Sequence, residues 1–448
     1  MTGVVNFSLL TDLYQLTMAQ AYFRERRMAS ATFSLFIRSY PPNRGYFVAA
    51  GLHDVLEFLE NFAFEPGAID FLAELKLFSE NFLTYLSSLR FTGQVWAIPE
   101  GRIFFADEPV LELTAPIVEA QIAETFIINQ IHLQSVIATK ASRCVHGAGG
   151  RPVVDFALRR THGSDAGMKV ARASYLAGFA GTSNVLAGHR YGIPVVGTMA
   201  HSFVSSFERE IDAFRAYVAT FPNNAILLID TYNTLDGARN AAAVGKEMTR
   251  QGGKLIGVRI DSGDLAAQAR AVRKILDDAG LSDVKIIGSG GLDEFDLAAM
   301  AASNTPYDSY GIGTKMGTSA DAPWADMSYK LVEYGDQPML KLSPGKLSCP
   351  GKKQVFRQRD GEGNFHRDLI GLRDEEISEE KLLKEVMCDG KILGAQPSLT
   401  ESRATFAADF SSLPREVTAI HNPRRYDVDF TTKLKNLRDQ TAAKAICS

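Results

Sequence analysis

From Arg151 onwards, short apolar runs recur along the chain, each ending in glycine, aspartate or another polar residue and each followed by a helical stretch. They are Pro152–Phe156, Ile193–Gly197, Ala225–Asp230, Lys254–Asp261, Lys285–Ser289 and Ser309–Gly313. Most lie about 30 residues apart, the size of one strand plus its crossover helix. Nearly continuous apolar strands alternating with helices imply a parallel sheet covered by helices. Six such units without a Gly-x-Gly-x-x-Gly turn predict an incomplete, irregular α/β barrel. In barrels the chemistry sits at the C-terminal ends of the strands.

The flanks differ in character. Before the barrel, Asp12–Phe23 reads as a helix with Thr11 or Asp12 as its cap, Ala31–Arg38 as a strand and Leu52–Phe62 as a helix. Glu119–Ala141 reads as one long buried helix. After about residue 335 the pattern fades: Gly335–Asn364 is rich in turn formers and suggests short hairpins, and the polar stretch from Glu375 ends in a helix or a loose tail. The division predicted is an N-terminal α/β domain over residues 1–145, the barrel over 146–335 and a C-terminal segment over 336–448 that packs on the N-terminal domain.

Composition narrows the partners. With 448 residues and a net charge of -4, the chain lacks the bulk basic surface that holds nucleic acid or an anionic membrane. The N-terminal Met1–Ser8 stretch has neither the charged nor the apolar region of a signal peptide, and no window has the roughly 20 apolar residues of a membrane span. Cys144, Cys349, Cys388 and Cys447 are far apart, with no Cys-x-x-Cys pair. A cytoplasmic location follows, with no disulfide framework and no structural zinc. Neither a His-Glu-x-x-His helix nor a Walker loop is present, so no transition metal is expected and any ATP binds without that motif.

The proposed strand ends present Arg159, His201, Asp230, Arg259 with Asp261, Ser289-Gly290-Gly291 and Gly311-Ile312-Gly313-Thr314. Glycines let backbone N–H groups converge on an anion, and Leu292–Phe295 offers a helix start whose dipole reinforces this. Tight turns alone would also use glycine, but two such turns on adjacent units resemble the phosphate site common in barrels. Arg259 and Asp261 alternate onto one side of a strand; a guanidinium fork suits phosphate and a carboxylate suits a ribose diol. A plain ion pair would leave the adjoining Ser262-Gly263-Asp264 unexplained. His201 follows a strand, and Asp230 on the next strand would orient it, giving a base or a nucleophile towards phosphate.

These segments, together with Thr11–Gln15, Phe36–Arg38, Ala49–Leu52, Arg159-Arg160, Gly181–Gly188, Gly197–Phe203 and Arg259–Asp264, closely resemble the nicotinate phosphoribosyltransferase family over about three-quarters of the chain. The resemblance implies a homodimer in which an incomplete α/β barrel and an N-terminal sandwich-like α/β domain share active sites, with nicotinate and phosphoribosyl pyrophosphate as substrates. It implies that Phe156 and Tyr14, the latter from a neighbouring subunit, sandwich the pyridine ring, with Arg159 beside the nicotinate. Arg259 and Asp261 would hold the ribose and pyrophosphate. Gly290, Gly291, Gly311, Gly313 and Thr314 would cradle the 5-phosphate, and Arg38 would approach phosphates from the partner. His201 resembles the histidine phosphorylated by ATP, with Asp230 orienting it and Mg²⁺ held mainly by substrate phosphates.

Relatives that use nicotinamide carry an aspartate where Ser183 stands, and a serine hydroxyl suits the carboxylate of nicotinate. Pro41–Gly45 departs from the family's Pro-Phe-x-Gly-Gly pattern. The alternatives weighed are nicotinamide or quinolinate phosphoribosyl transfer, a barrel aldolase or isomerase, and an inactive ligand-sensing relative. Ser183 opposes the nicotinamide reading. No strand-end lysine favours the aldolase, and retention of His201, Arg259 and Asp261 opposes the inactive relative.

Overall fold

The computed structural model describes residues 6–342 and 349–447, the last of these for its backbone only. Met1–Val5 of the N-terminal reading, and residues 343–348 of the stretch read as hairpins, lie outside the described residues. The chain divides into two compact units, Met1–Val136 with Trp324–Ser448, and Ile137–Pro323.

The second unit is mixed α/β and carries the predicted parallel sheet. Across it the strands run Gly181–Thr182, Val153–Asp155, Ser309–Ile312, Lys285–Gly288, Gly257–Ile260 and Ile226–Leu228. Every neighbouring pair is parallel. Val153, the first of these strand residues in sequence, thus faces Tyr310 near the last. Val258, Ile260, Ile286, Tyr310 and Ile312 are fully buried, as helices on a parallel sheet require. The sequence also dictates where each crossover helix starts. Asn184, Asn233, Asp264 and Asp293 follow the strand turns, and each side chain accepts hydrogen bonds from the first free N–H groups of the next helix.

One predicted strand is replaced. Ile193–Gly197 makes only an isolated bridge, Val195 to Thr182, and Gly181–Thr182 is the strand that joins the sheet. Pro194 has no N–H to give to a ladder; its carbonyl accepts from Thr182 N–H at 3.0 Å, while Val196 N–H donates to Thr182 at 2.9 Å.

The first unit is built on a seven-stranded sheet in the order Gln337–Pro338, Met327–Tyr334, Ser30–Ile37, Pro109–Pro116, Gln94–Ala97, Lys384–Cys388 and Lys391–Ile392. Leu35, Ile37, Val95, Leu111 and Leu113 are buried with Leu56, Phe82 and Leu86 of the helices in one core. A second sheet contains the hairpin Lys353–Arg359 and Phe365–Leu372, flanked by Glu380–Lys381 and Val428–Phe430. The Leu13–Arg24 helix begins at Asp12, whose capping box is closed by Gln15. The predicted Leu52–Phe62 helix spans Leu52–Glu60. The long helix predicted over Glu119–Ala141 is two helices, Ile117–Ile122 and Glu124–Gly147, divided at Ala123. The polar tail is ordered into helices Leu399–Ser411 and Thr432–Cys447.

Candidate functional site

The strand ends of the second unit collect most of the predicted residues. Phe156 directly follows the Val153–Asp155 strand, its N–H donating to Ile312 at 2.7 Å. Its ring lies over Gly311, where a Cβ would come within 2.3 Å of the ring carbons. Gly311 is therefore a glycine because Phe156 covers it. Arg259 reaches the same ring, its guanidinium 5.9 Å from the centroid, within cation–π range.

Arg259 is anchored at its far end. Nη1 donates to Thr198 Oγ1 at 2.7 Å and Nη2 to the Met199 carbonyl at 3.2 Å, while Nε is buried without a partner. Burial lowers the guanidinium from its usual range; Asp261 and Asp230 oppose that, and the like charge of Arg159 adds to it. Two guanidiniums that repel each other across one site are a natural receptor for an anion. Arg159 itself is exposed on the short turn Leu158–Arg160. Its neighbour Arg160 donates to Thr314 Oγ1 at 3.3 Å.

Asp261 accepts from Ser289 Oγ at 2.5 Å, tying the Arg259 strand to the glycine turn. Gly290 has φ +98° and Gly291 φ +71°, both in the left-handed region open to glycine. At Gly290 a Cβ would sit 1.8 Å from the Asp261 carbonyl oxygen, so space forbids it as well. Gly313 caps the one-turn helix Thr314–Gly317.

Ser183 is placed by a residue the sequence reading passed over. Asp155 is buried at the strand end, where Oδ2 accepts from Thr182 Oγ1 at 2.7 Å and Oδ1 from Ala157 N–H at 2.8 Å. Burial raises its carboxyl above the ordinary range, and these two bonds oppose the shift. Thr182 Oγ1 in turn accepts from Asn184 N–H at 3.0 Å, and Ser183 N–H donates to the Asp155 carbonyl at 2.8 Å. A carboxylate inside the apolar run Val153-Val154-Asp155-Phe156 was the available signal.

The histidine finds a different partner from the expected one. His201 is the first residue of the His201–Ser205 helix, and its Nδ1 shares a 3.1 Å hydrogen bond with Thr231 Oγ1. Asp230, expected to orient it, turns instead to the next strand. Its Oδ2 accepts from Asp261 N–H at 2.9 Å and Ser262 Oγ at 2.6 Å, and Oδ1 is buried and unpartnered. The physical reason is proximity: Asp230 ends the Ile226–Leu228 strand run beside the Gly257–Ile260 strand, so donors there reach it first. Thr198, Thr231 and Ser262 carried no signal beyond sitting beside charged strand-end residues.

Tyr14 and Arg38 belong to the first unit. Tyr14 is half-exposed and lines a cleft of about 390 Å³ with Asp12, Glu124 and His132. Arg38 Nη1 pairs with Asp326 at 3.2 Å, leaving a buried Nε without a partner. No helix among the described residues is long and apolar enough to cross a membrane. The described cysteines Cys144, Cys349 and Cys388 are free thiols.

Models of the nicotinate phosphoribosyltransferase N-terminal domain, family and C-terminal domain match residues 9–132, 152–333 and 376–438. A nicotinate phosphoribosyltransferase of Mycobacterium tuberculosis is 48% identical over 93% of this chain and 89% of its own length. That of Bacillus subtilis is 37% identical over 95% and 93%, and the human one 32% over 97% and 96%. The crystal structure of human nicotinic acid phosphoribosyltransferase superposes with a TM-score of 0.87 at 31% identity, covering 96% of this chain and 99% of that one. Nicotinate-nucleotide pyrophosphorylase from Pyrococcus furiosus gives 0.75 at 25% identity, covering 90% and 95%. From motif to full-length likeness, the chain belongs to the nicotinate phosphoribosyltransferase family.

Proposed function

We propose that this protein joins nicotinate to phosphoribosyl pyrophosphate, forming nicotinate mononucleotide and pyrophosphate, with ATP hydrolysed through a phosphohistidine at His201. The observation that carries the reading is the convergence at the strand ends of one sheet of an aromatic face, Phe156, a half-buried guanidinium whose buried Nε has no partner, Arg259, and the Gly290-Gly291 turn tied to Asp261. In this reading the pyridine nitrogen bonds to C1 of the ribose as the C1–O bond to pyrophosphate breaks, its electron pair leaving with the pyrophosphate. Phe156 carries the ring, and Ser183 and Arg159 meet its carboxylate. Arg259 and Asp261 hold the phosphoribosyl group while Gly290, Gly291, Gly313 and Thr314 face its phosphate. Positioning and neutralisation of the leaving group do most of the work.

In the ATP half-reaction an imidazole nitrogen of His201 takes the γ-phosphoryl group as ADP leaves, and water later takes it from the ring. Asp230 Oδ1, a buried hard acceptor without a partner, suits Mg²⁺. No group of three or more His, Cys, Asp or Glu side chains that could hold a metal occurs among the described residues, so the ion would arrive mainly on phosphate oxygens. When bound it would neutralise phosphate charge.

The open parallel sheet reads as an incomplete barrel, because its first and last strands in sequence are neighbours. The N-terminal part, read as a sandwich-like domain, would contribute Tyr14 and Arg38 to the site of a second copy in a cytoplasmic homodimer. The test is product formation from phosphoribosyl pyrophosphate with nicotinate, nicotinamide or quinolinate in parallel, each with and without ATP. Nicotinate alone is expected to react, faster with ATP, and His201→Ala is expected to lose the ATP effect. Turnover of nicotinamide instead would overturn the assignment of Ser183.

A further inference from the structure

Four hydrogen bonds of the second unit form a chain that runs from the histidine to the glycine turn. Thr231 Oγ1 holds His201 Nδ1. The adjoining Asp230 carboxylate crosses to the next strand end, where Ser262 Oγ donates to it at 2.6 Å and Asp261 N–H at 2.9 Å. Asp261 then accepts from Ser289, the residue before the Gly290-Gly291 turn. The histidine side and the phosphoribosyl side of the site are thus linked through one buried carboxylate. Asp230 is 8% exposed, whereas Ser262 lies on an exposed turn. A hydrogen bond to a buried ionised group is among the stronger kinds, so movement of Asp230 is felt at the Asp261–Ser262 turn. Ser262 Oγ is the side-chain donor in that link and the one that can be removed without deleting a charge.

We propose that Ser262 is a positioning residue that couples ATP turnover at His201 to capture of phosphoribosyl pyrophosphate. Its hydroxyl clamps Asp230 to the Asp261 turn. Adding a phosphoryl group beside Thr231 disturbs the Thr231–Asp230 strand end, and the clamp passes that shift to Asp261, Ser289 and the glycine turn. Without the hydroxyl, the histidine is still phosphorylated and the transfer still occurs, but the two run independently. This rests on the phosphohistidine reading.

The test measures ADP and nicotinate mononucleotide together, and the KM for phosphoribosyl pyrophosphate with and without ATP, in wild type, Ser262→Ala, Ser262→Thr and His201→Ala. In Ser262→Ala the ratio of mononucleotide to ADP is expected to fall at least fivefold. The KM with ATP should rise towards the ATP-free value, while the ATP-free KM and kcat stay within twofold of wild type. Ser262→Thr, which keeps a hydroxyl, should restore the ratio. An unchanged ratio in Ser262→Ala overturns the coupling role, and so does an equal rise in KM with and without ATP, which marks a direct or merely structural role. Full ATP stimulation of His201→Ala overturns the phosphohistidine reading itself, and is distinguishable because it does not involve Ser262.

Discussion

At the scale of single residues, adjacent glycines in one turn have different reasons to be glycine. Gly290 combines a positive φ with a Cβ position only 1.8 Å from the Asp261 carbonyl, whereas Gly291 has the positive φ and nothing within 4 Å. Gly291→Ala meets no protein atom and carries left-handed backbone strain of about 1–2 kcal/mol, so it is expected to lower the melting temperature and to reduce kcat/KM for phosphoribosyl pyrophosphate less than Gly290→Ala does. Gly290→Ala must push the turn away from Asp261. A displacement of ~1 Å at a reacting centre costs on the order of 100-fold, so kcat/KM for phosphoribosyl pyrophosphate should fall on that scale. Steady-state kinetics of the two variants side by side would decide it; equal activities would mean that the turn does not contact substrate. Both glycines were visible in the sequence. What separated them was not, because the Asp261 carbonyl arrives from a strand roughly 30 residues earlier, one crossover away.

At the scale of elements, the apolar runs predicted five of the six parallel strands to within a few residues, because buried parallel strands must be apolar on both faces. The exception was physical. Gly181–Thr182 is too short and too small to register as an apolar run, and Val195 in the run that did register is largely exposed. The break at Ala123 in the long helix had no sequence mark, alanine being the best of helix formers. The turn after the first strand hangs on Asp155, and its chemistry gives a pH test. Burial raises this carboxyl above its ordinary value of 3.8, so the folded protein holds the proton more tightly than the unfolded chain. Its contribution to stability is fullest below that ordinary value and is lost as pH rises towards the raised one. Asp155→Asn keeps an acceptor for Ala157 N–H and carries no charge. The difference in unfolding free energy between wild type and variant, followed by urea titration, should shift in favour of the variant across that window. A difference independent of pH would show that Asp155 does not titrate there.

At the scale of the molecule, the first unit is assembled from both ends of the chain, and a buried charge cluster pins them together. Glu112, fully buried in the Pro109–Pro116 strand, accepts from Lys353 N–H at 2.8 Å and pairs with Lys353 Nζ at 3.0 Å and with Arg373. Glu112→Ala leaves two cations facing each other without their anion. Breaking such a pair costs about 3–5 kcal/mol, and chemical denaturation should report a loss of that size for the unit; a loss below ~1 kcal/mol, the value of an exposed pair, would mean that water reaches the cluster. The same joining of distant segments has a bearing on how the protein is made. Ser30–Ile37 lies between Pro109–Pro116 and Met327–Tyr334 in the central sheet. At about 5–20 residues per second on the ribosome, tens of seconds separate the emergence of the first strand from that of its last partner. For that interval one edge of the nascent sheet stands open to other chains, and the yield of folded protein depends on whatever shields it during translation.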